Sequence, residues 1–227
     1  MKQKLTILFD LDGTLVDTAP DLMLAHNHVM RKFGYPTKST EDIRNLVGKG
    51  AGALIGRSIW GQAKKEFSKV LDEKIKDEMV KEFVNFYGKN IVNESTLIIG
   101  VKDFLIWCKE QNISMAVCTN KQEHLSNDLL KKIGIYDFFE YVAGSNTFDY
   151  CKPDPRHLTN VVEILDGDVK KTIMIGDSET DANAAKAAEI PVILLENGYT
   201  EKNTTEIYHN HLIKDFIGIE KIISKYL

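Results

Sequence analysis

Residues Leu5 to Thr18 read LTILFDLDGTLVDT. The opening run, Leu5-Thr6-Ile7-Leu8-Phe9, is apolar except for one threonine. That suits a strand buried on both faces of a parallel sheet. Two aspartates follow it, Asp10 and Asp12, and then Gly13, which frees the backbone for a tight turn. Two carboxylates this close at the end of an apolar strand repel each other and are costly to desolvate. A divalent cation relieves both problems, and Mg2+ prefers oxygen ligands of this kind. Taken alone, the stretch also reads as an Asp-rich turn that merely caps a strand.

Three later features decide between these readings. Thr119-Asn120, Lys152-Pro153 and Gly176-Asp177-Ser178-Glu179-Thr180-Asp181 each stand just after an apolar run. Singly, each has an ordinary explanation: turn formers after a strand, a solvated lysine, caps of a following helix. Jointly they place a carboxylate pair, a hydroxyl, a cation and further carboxylates at the ends of several strands.

The four stretches together resemble the haloacid dehalogenase superfamily of phosphohydrolases. FDLDGTLVDT matches its first motif, Thr119 its second, Lys152 its third and GDSETD its fourth, in the family's order and over essentially the whole chain.

The bulk properties fit a soluble globular protein. The 227 residues suffice for one large domain or a core with a smaller companion. A net charge of −4 argues against a nucleic-acid binder, which usually needs a basic face, while a local cation cluster and a metal can still hold a small anion. The three cysteines, Cys108, Cys118 and Cys151, fit neither a zinc site nor a CxxC pair. Cys108 and Cys118 are expected in the core, and Cys151 partly exposed and inert. The five-residue apolar run before Asp10 is too short for a signal peptide, and no stretch approaches the roughly 20 apolar residues of a membrane span. The expectation is a reduced, cytoplasmic protein, monomer or homodimer, whose partner is a small phosphorylated metabolite rather than nucleic acid or membrane.

Along the chain, Asp17-Thr18-Ala19-Pro20 reads as a helix start, with Asp17 or Thr18 as cap, and Gly34 as its stop. From Thr37 to about Glu94 the pattern is helical, with a glycine-rich break at Lys49-Gly50-Ala51-Gly52, a longer amphipathic segment from about Ala63 to Tyr87, and Gly88 as a stop. Strands then alternate with helices. Strands are expected near Ile113–Cys118, Glu140–Ala143, Thr172–Ile175, Pro191–Leu195 and His211–Ile213, and a last helix from about Phe216 to Tyr226. This alternation predicts an α/β fold, a doubly wound parallel sheet, with ligands beyond the carboxyl ends of its strands. The resemblance makes the helical block an inserted cap: residues 1–16 and 96–227 form the core domain, residues 17–95 the all-helical cap. The six histidines, at 26, 28, 124, 157, 209 and 211, form no constellation and are expected at the surface.

Phosphoryl transfer needs an in-line nucleophile and positive charge around the equatorial oxygens. The resemblance makes Asp10 the nucleophile that forms an aspartyl-phosphate, and Asp12 the acid and base. It assigns Mg2+ to Asp10, the backbone carbonyl of Asp12 and Asp177. Thr119 offers a hydroxyl and a backbone N–H to the phosphate, Asn120 another N–H, and Lys152 a fixed cation. Asp181 is expected to brace the metal site or Lys152, or to cap its own helix.

The cap chooses the substrate. Gly48-Lys49-Gly50 at a helix N-terminus suits an anion, although a plain interhelical turn reads the same way. The segment resembles the cap loop of bacterial phosphoglycolate phosphatases, and a second anion site suits 2-phosphoglycolate, whose carboxylate lies opposite its phosphate. The expectation is a phosphomonoester hydrolase acting on 2-phosphoglycolate. A β-phosphoglucomutase-like mutase, a phosphatase for another small ester, and a non-catalytic phosphoacceptor stay open. A dehalogenase would not need the acid at Asp12, and a phosphonate hydrolase of this superfamily carries alanine there.

Overall fold

The structure, a computed structural model, describes residues 4–66 and 73–227. Its centre is a six-stranded sheet built on β1 (Thr6–Phe9), with β4 (Ser114–Cys118) on one side and β6 (Thr172–Gly176) on the other. With β5 (Tyr141–Ala143), β7 (Val192–Leu195) and β8 (His211–Ile213) the order is β5-β4-β1-β6-β7-β8, and every pairing is parallel. Register aligns Phe9 with Val117 and with Ile175, so these three strands end at one level.

The sheet is covered on both faces, which explains its nearly unbroken apolar strands. Ile7 and Phe9 face one cluster, shared with α5 (Val101–Glu110) and α6 (Glu123–Ile133). Leu8 faces the other, shared with α7 (Arg156–Ile164) and α8 (Glu179–Ala187). Cys108 and Cys118 are buried in these clusters and Cys151 is half-buried, as the sequence predicts. Burial pushes the Cys118 thiol up to about 12, which keeps it inert.

Between β1 and α5 the chain makes a helical excursion. A two-residue strand, β2 (Val16–Asp17), pairs antiparallel with β3 (Thr96–Leu97) and closes its base. Above the ladder stand α1 (Ala19–Phe33), α2 (Thr40–Arg44), α3 (Ala51–Glu66) and α4 (Glu73–Lys89), with α1 packed on α2 and α4, and α4 on α3. Asp21, buried in the first turn of α1, ties the returning chain down: its carboxylate accepts from the N–H groups of Asn93, Glu94 and Ser95 and from the Ser95 hydroxyl. Among the described residues no helix is long and apolar enough to cross a membrane.

Several details depart from expectation. The predicted segment from Ala63 to Tyr87 falls on the end of α3 and on α4, and residues 67–72 lie outside the described residues. Gly88 does not stop α4, which runs to Lys89. The last helix shrinks to α9 (Glu220–Ile223), because Gly218 with φ 79° breaks the helical path before it. Thr18 is the N-cap residue of α1, but its hydroxyl caps nothing and turns to Asp12. His26 and His157 are fully buried rather than at the surface. His26 bridges Asn27 and Ser58, and His157 packs edge-on to Phe148.

Candidate active site

Three strands deliver carboxylate or hydroxyl groups at one level. Asp10 follows β1, Thr119 follows β4 and Asp177 follows β6. The turn after β1 demands glycine at position 13: its φ is 82°, and a Cβ there would collide with the Asp177 carboxylate. Lys152 enters from the loop between β5 and α7, and Asp181 from the first turn of α8. All of these side chains are buried.

Lys152 is held by two carboxylates. Its Nζ lies 2.5 Å from Asp181 Oδ1 and 2.9 Å from Asp10 Oδ1. Burial alone would lower its pKa, but the charges of Asp10 and Asp181 outweigh burial and raise it above the ordinary lysine value. Asp181 contacts both Lys152 and the start of its own helix. While Oδ1 holds Lys152, Oδ2 accepts from the Ser178 N–H at 3.1 Å and the Ser178 hydroxyl at 2.7 Å, completing a capping box on α8.

Asp177 accepts from the Thr14 hydroxyl at 3.0 Å and from the Tyr199 N–H at 2.5 Å. Burial, and then the charges of Asp10 and Asp181, push its pKa well above the carboxylate range. Asp10 is raised to about 6, by burial first, with Lys152 opposing. The Lys152 ammonium meets Asp10 Oδ1 as a buried ion pair.

These features fit a cation. Carboxylate atoms of Asp10, Asp177 and Asp181 lie within 4.8 Å of one another. Asp181 already pairs with Lys152, whereas Asp10 and Asp177 follow neighbouring strands as carboxylates whose mutual repulsion a hard divalent ion would relieve.

Asp12 stands apart from this group. Its Oδ1 accepts from the Thr18 hydroxyl at 2.7 Å, and Lys121 Nζ reaches Oδ1 at 2.7 Å and Oδ2 at 2.8 Å. Thr119 departs from expectation in one respect: its backbone N–H donates to Ala143 O at 2.9 Å, so only the hydroxyl is left for a ligand. The Asn120 amide is a strap. Its Nδ2 donates to Lys152 O at 2.9 Å and to Gly48 O at 3.0 Å, joining the lysine loop to the glycine-rich loop before α3.

Above these groups lies a cavity of about 280 Å3, the size of a small metabolite. Asp10, Asp12, Thr119, Asn120 and Lys121 form its floor; Gly48, Lys49 and Gly50, with Phe83 and Tyr87, form its roof. Gly48 and Gly50 have φ of 98° and 81°, and Lys49 is exposed.

Sequence reasoning missed Lys121, Thr14, Tyr87 and Tyr199. Only Lys121 carried a local signal, as the third residue of the loop that Thr119 opens.

Comparison with known proteins places this geometry. Residues 7–195 match the model of the family described as haloacid dehalogenase-like hydrolase. A phosphoglycolate phosphatase of Mesorhizobium japonicum is 37% identical over 92% of this chain and 90% of its own length. One from Caulobacter vibrioides is 38% identical over 95% of this chain and 89% of its own. A crystal structure of a predicted phosphoglycolate phosphatase from Haemophilus somnus superposes with a TM-score of 0.91 at 31% identity, covering 98% of this chain and 99% of that one. The strand-end carboxylates, the buried lysine and the match over most of the chain lead to one conclusion: this protein belongs to the haloacid dehalogenase-like hydrolase family.

Proposed function

We propose that the protein is a Mg2+-dependent phosphomonoesterase that hydrolyses 2-phosphoglycolate through an aspartyl-phosphate on Asp10. The observation that carries this reading is the buried contact of Asp10, on the cavity floor, with Lys152. A carboxylate and a cation at one point suit attack on a phosphorus atom whose oxygens need compensation. The names of the relatives support the choice of ester.

In this reading the Asp10 carboxylate forms a bond to phosphorus as the bond to the ester oxygen breaks. Asp12 protonates that oxygen. Deprotonated, it then takes a proton from the water that attacks the acyl phosphate, which releases phosphate and restores Asp10. Lys152 and the Thr119 hydroxyl hold the phosphoryl oxygens, with Asn120 fixing the lysine loop. Asp10, the Asp12 carbonyl and Asp177 would hold Mg2+, which would supply charge compensation between Asp10 and the phosphate. Asp181 keeps Lys152 in place. Residues 1–16 and 96–227 act as the core domain and residues 17–95 as the cap. Gly48, Lys49 and Gly50 close the cavity from the cap side, and Lys49 draws in the anion.

The test is phosphate release from 2-phosphoglycolate, β-glucose 1-phosphate and a few nucleotides, with Mg2+ and with EDTA. The expected result is metal-dependent release with 2-phosphoglycolate strongly preferred. Conversion of β-glucose 1-phosphate to glucose 6-phosphate would move the protein to the mutases. At most one phosphate released per chain would make it a phosphoacceptor.

A further inference from the structure

The cavity wall beside Asp12 holds a cation that the transfer chemistry above does not use. Lys121 is 8% exposed, and its ammonium has three donors. Two reach the oxygens of Asp12 at 2.7 and 2.8 Å. The remaining face sits over the Tyr87 ring, 4.5 Å from its centroid. An aromatic face is a weaker partner than an anion, so it is the contact that a ligand carboxylate would displace. Tyr87 itself is 1% exposed, and its hydroxyl has no hydrogen-bond partner among the described residues. A buried donor left unpaired is costly until something accepts from it. Lys121, with its replaceable partner, and Tyr87, with its unpaired hydroxyl, thus both line the cavity.

The covalent structure of the ester makes this placement specific. Asp12 is the group that protonates the ester oxygen, so the reacting ester oxygen must come to Asp12. In 2-phosphoglycolate the carbon bearing that oxygen is bonded directly to the carboxylate. A cation clamped to Asp12 therefore meets a carboxylate α to the ester, and each added methylene carries the carboxylate away from it. Lys49, exposed at the rim, has no such constraint.

We propose that Lys121, with the Tyr87 hydroxyl beside it, reads the substrate carboxylate and confines the enzyme to phosphate esters of 2-hydroxycarboxylic acids. The inference rests on the phosphomonoesterase reading. Lys121 is then a specificity residue that bridges substrate and Asp12, and the cap contributes Tyr87 rather than Lys49 to the direct contact.

The experiment measures kcat and KM with Mg2+ for three substrates: 2-phosphoglycolate, the phosphate ester of 3-hydroxypropanoate, and ethyl phosphate. Wild-type enzyme is expected to prefer 2-phosphoglycolate over the longer acid ester by about tenfold or more in kcat/KM, the scale of a lost charge-assisted hydrogen bond. Equal values for the two would overturn the inference without any variant. In Lys121→Met both 2-phosphoglycolate and ethyl phosphate turnover fall, because Asp12 loses its partner. The ratio of their kcat/KM values should fall a further ~30-fold, mainly through KM for 2-phosphoglycolate, and Lys121→Arg should restore part of it. An unchanged ratio would mean that Lys121 only props Asp12, and would overturn the inference while leaving the phosphatase standing. Absence of wild-type turnover on every ester would overturn the phosphatase reading itself.

Discussion

The floor and the roof of the cavity are built by opposite rules. At the floor and just beneath it each carboxylate has a fixed partner: Asp10 and Asp181 share Lys152, Asp12 holds Lys121, and Asp177 accepts from Thr14 and Tyr199. These groups stand at the ends of strands that are themselves locked in register. The roof is made of glycine backbone, apolar helix faces and an exposed lysine, with the Asn120 amide as a tie to the floor. Groups that act on developing charge gain most when they are oriented beforehand. A roof has different demands: it must admit a ligand, exclude water and tolerate movement. Substitutions of the strand-end carboxylates should therefore act on kcat, and substitutions at the exposed rim of the roof on KM.

The largest effect tests the floor. Asp10→Asn keeps the shape of the side chain and removes the proposed nucleophile. Phosphate release from 2-phosphoglycolate should fall by roughly 10^4-fold or more, the scale seen when a nucleophile is lost. The thermal midpoint should move by only a few degrees, because the amide also removes a charge from a buried acidic cluster. A kcat close to wild type would sink the assignment of Asp10. A collapse in stability would place its main role in the fold.

The same contrast explains what the sequence made legible. Asp10, Thr119 and Asp177 could be found because each follows an apolar run, and a parallel sheet brings such positions together without any knowledge of tertiary contacts. Lys121 could not be placed, because a loop lysine is normally solvated and its partner Asp12 is 109 residues away. The Thr119 N–H was expected at the phosphate, but β5 claims it through Ala143. The strands β2 and β3 have two residues each, too few to show alternation. His26 and His157 did carry a usable signal. His26 lies at helical spacing from Leu22 and Val29, and His157 from Val161, on faces that read as apolar. The general preference of histidine for the surface hid it.

His157 extends the comparison behind the floor. Burial, and then the nearby charge of Lys152, hold its pKa down at about 4, against an ordinary 6.5. The unfolded chain therefore takes up the proton first as pH falls. The stability that comes from keeping this ring neutral is fully present above about pH 6.5. It is lost progressively down to about pH 4, by roughly 3 kcal/mol at most. Urea unfolding of wild type and His157→Phe between pH 7 and pH 4.5 checks this. The variant should lose less stability over that interval, whatever its stability at pH 7. Parallel curves would show that the acid sensitivity originates elsewhere.

The smallest effect tests the roof. Lys49 is exposed at the cavity rim, so its charge acts on the incoming anion through water and salt. In Lys49→Ala, KM for 2-phosphoglycolate should rise by only about two- to threefold at low ionic strength, with kcat unchanged, as expected of a weak exposed charge interaction. The increase should vanish near 0.5 M salt, and ethyl phosphate, which also arrives as an anion, should show the same pattern. A rise that survives high salt and is confined to 2-phosphoglycolate would mean that Lys49 makes the direct carboxylate contact. The roof would then be as firmly organised as the floor, and the carboxylate contact would have to be moved from Lys121 to the cap loop.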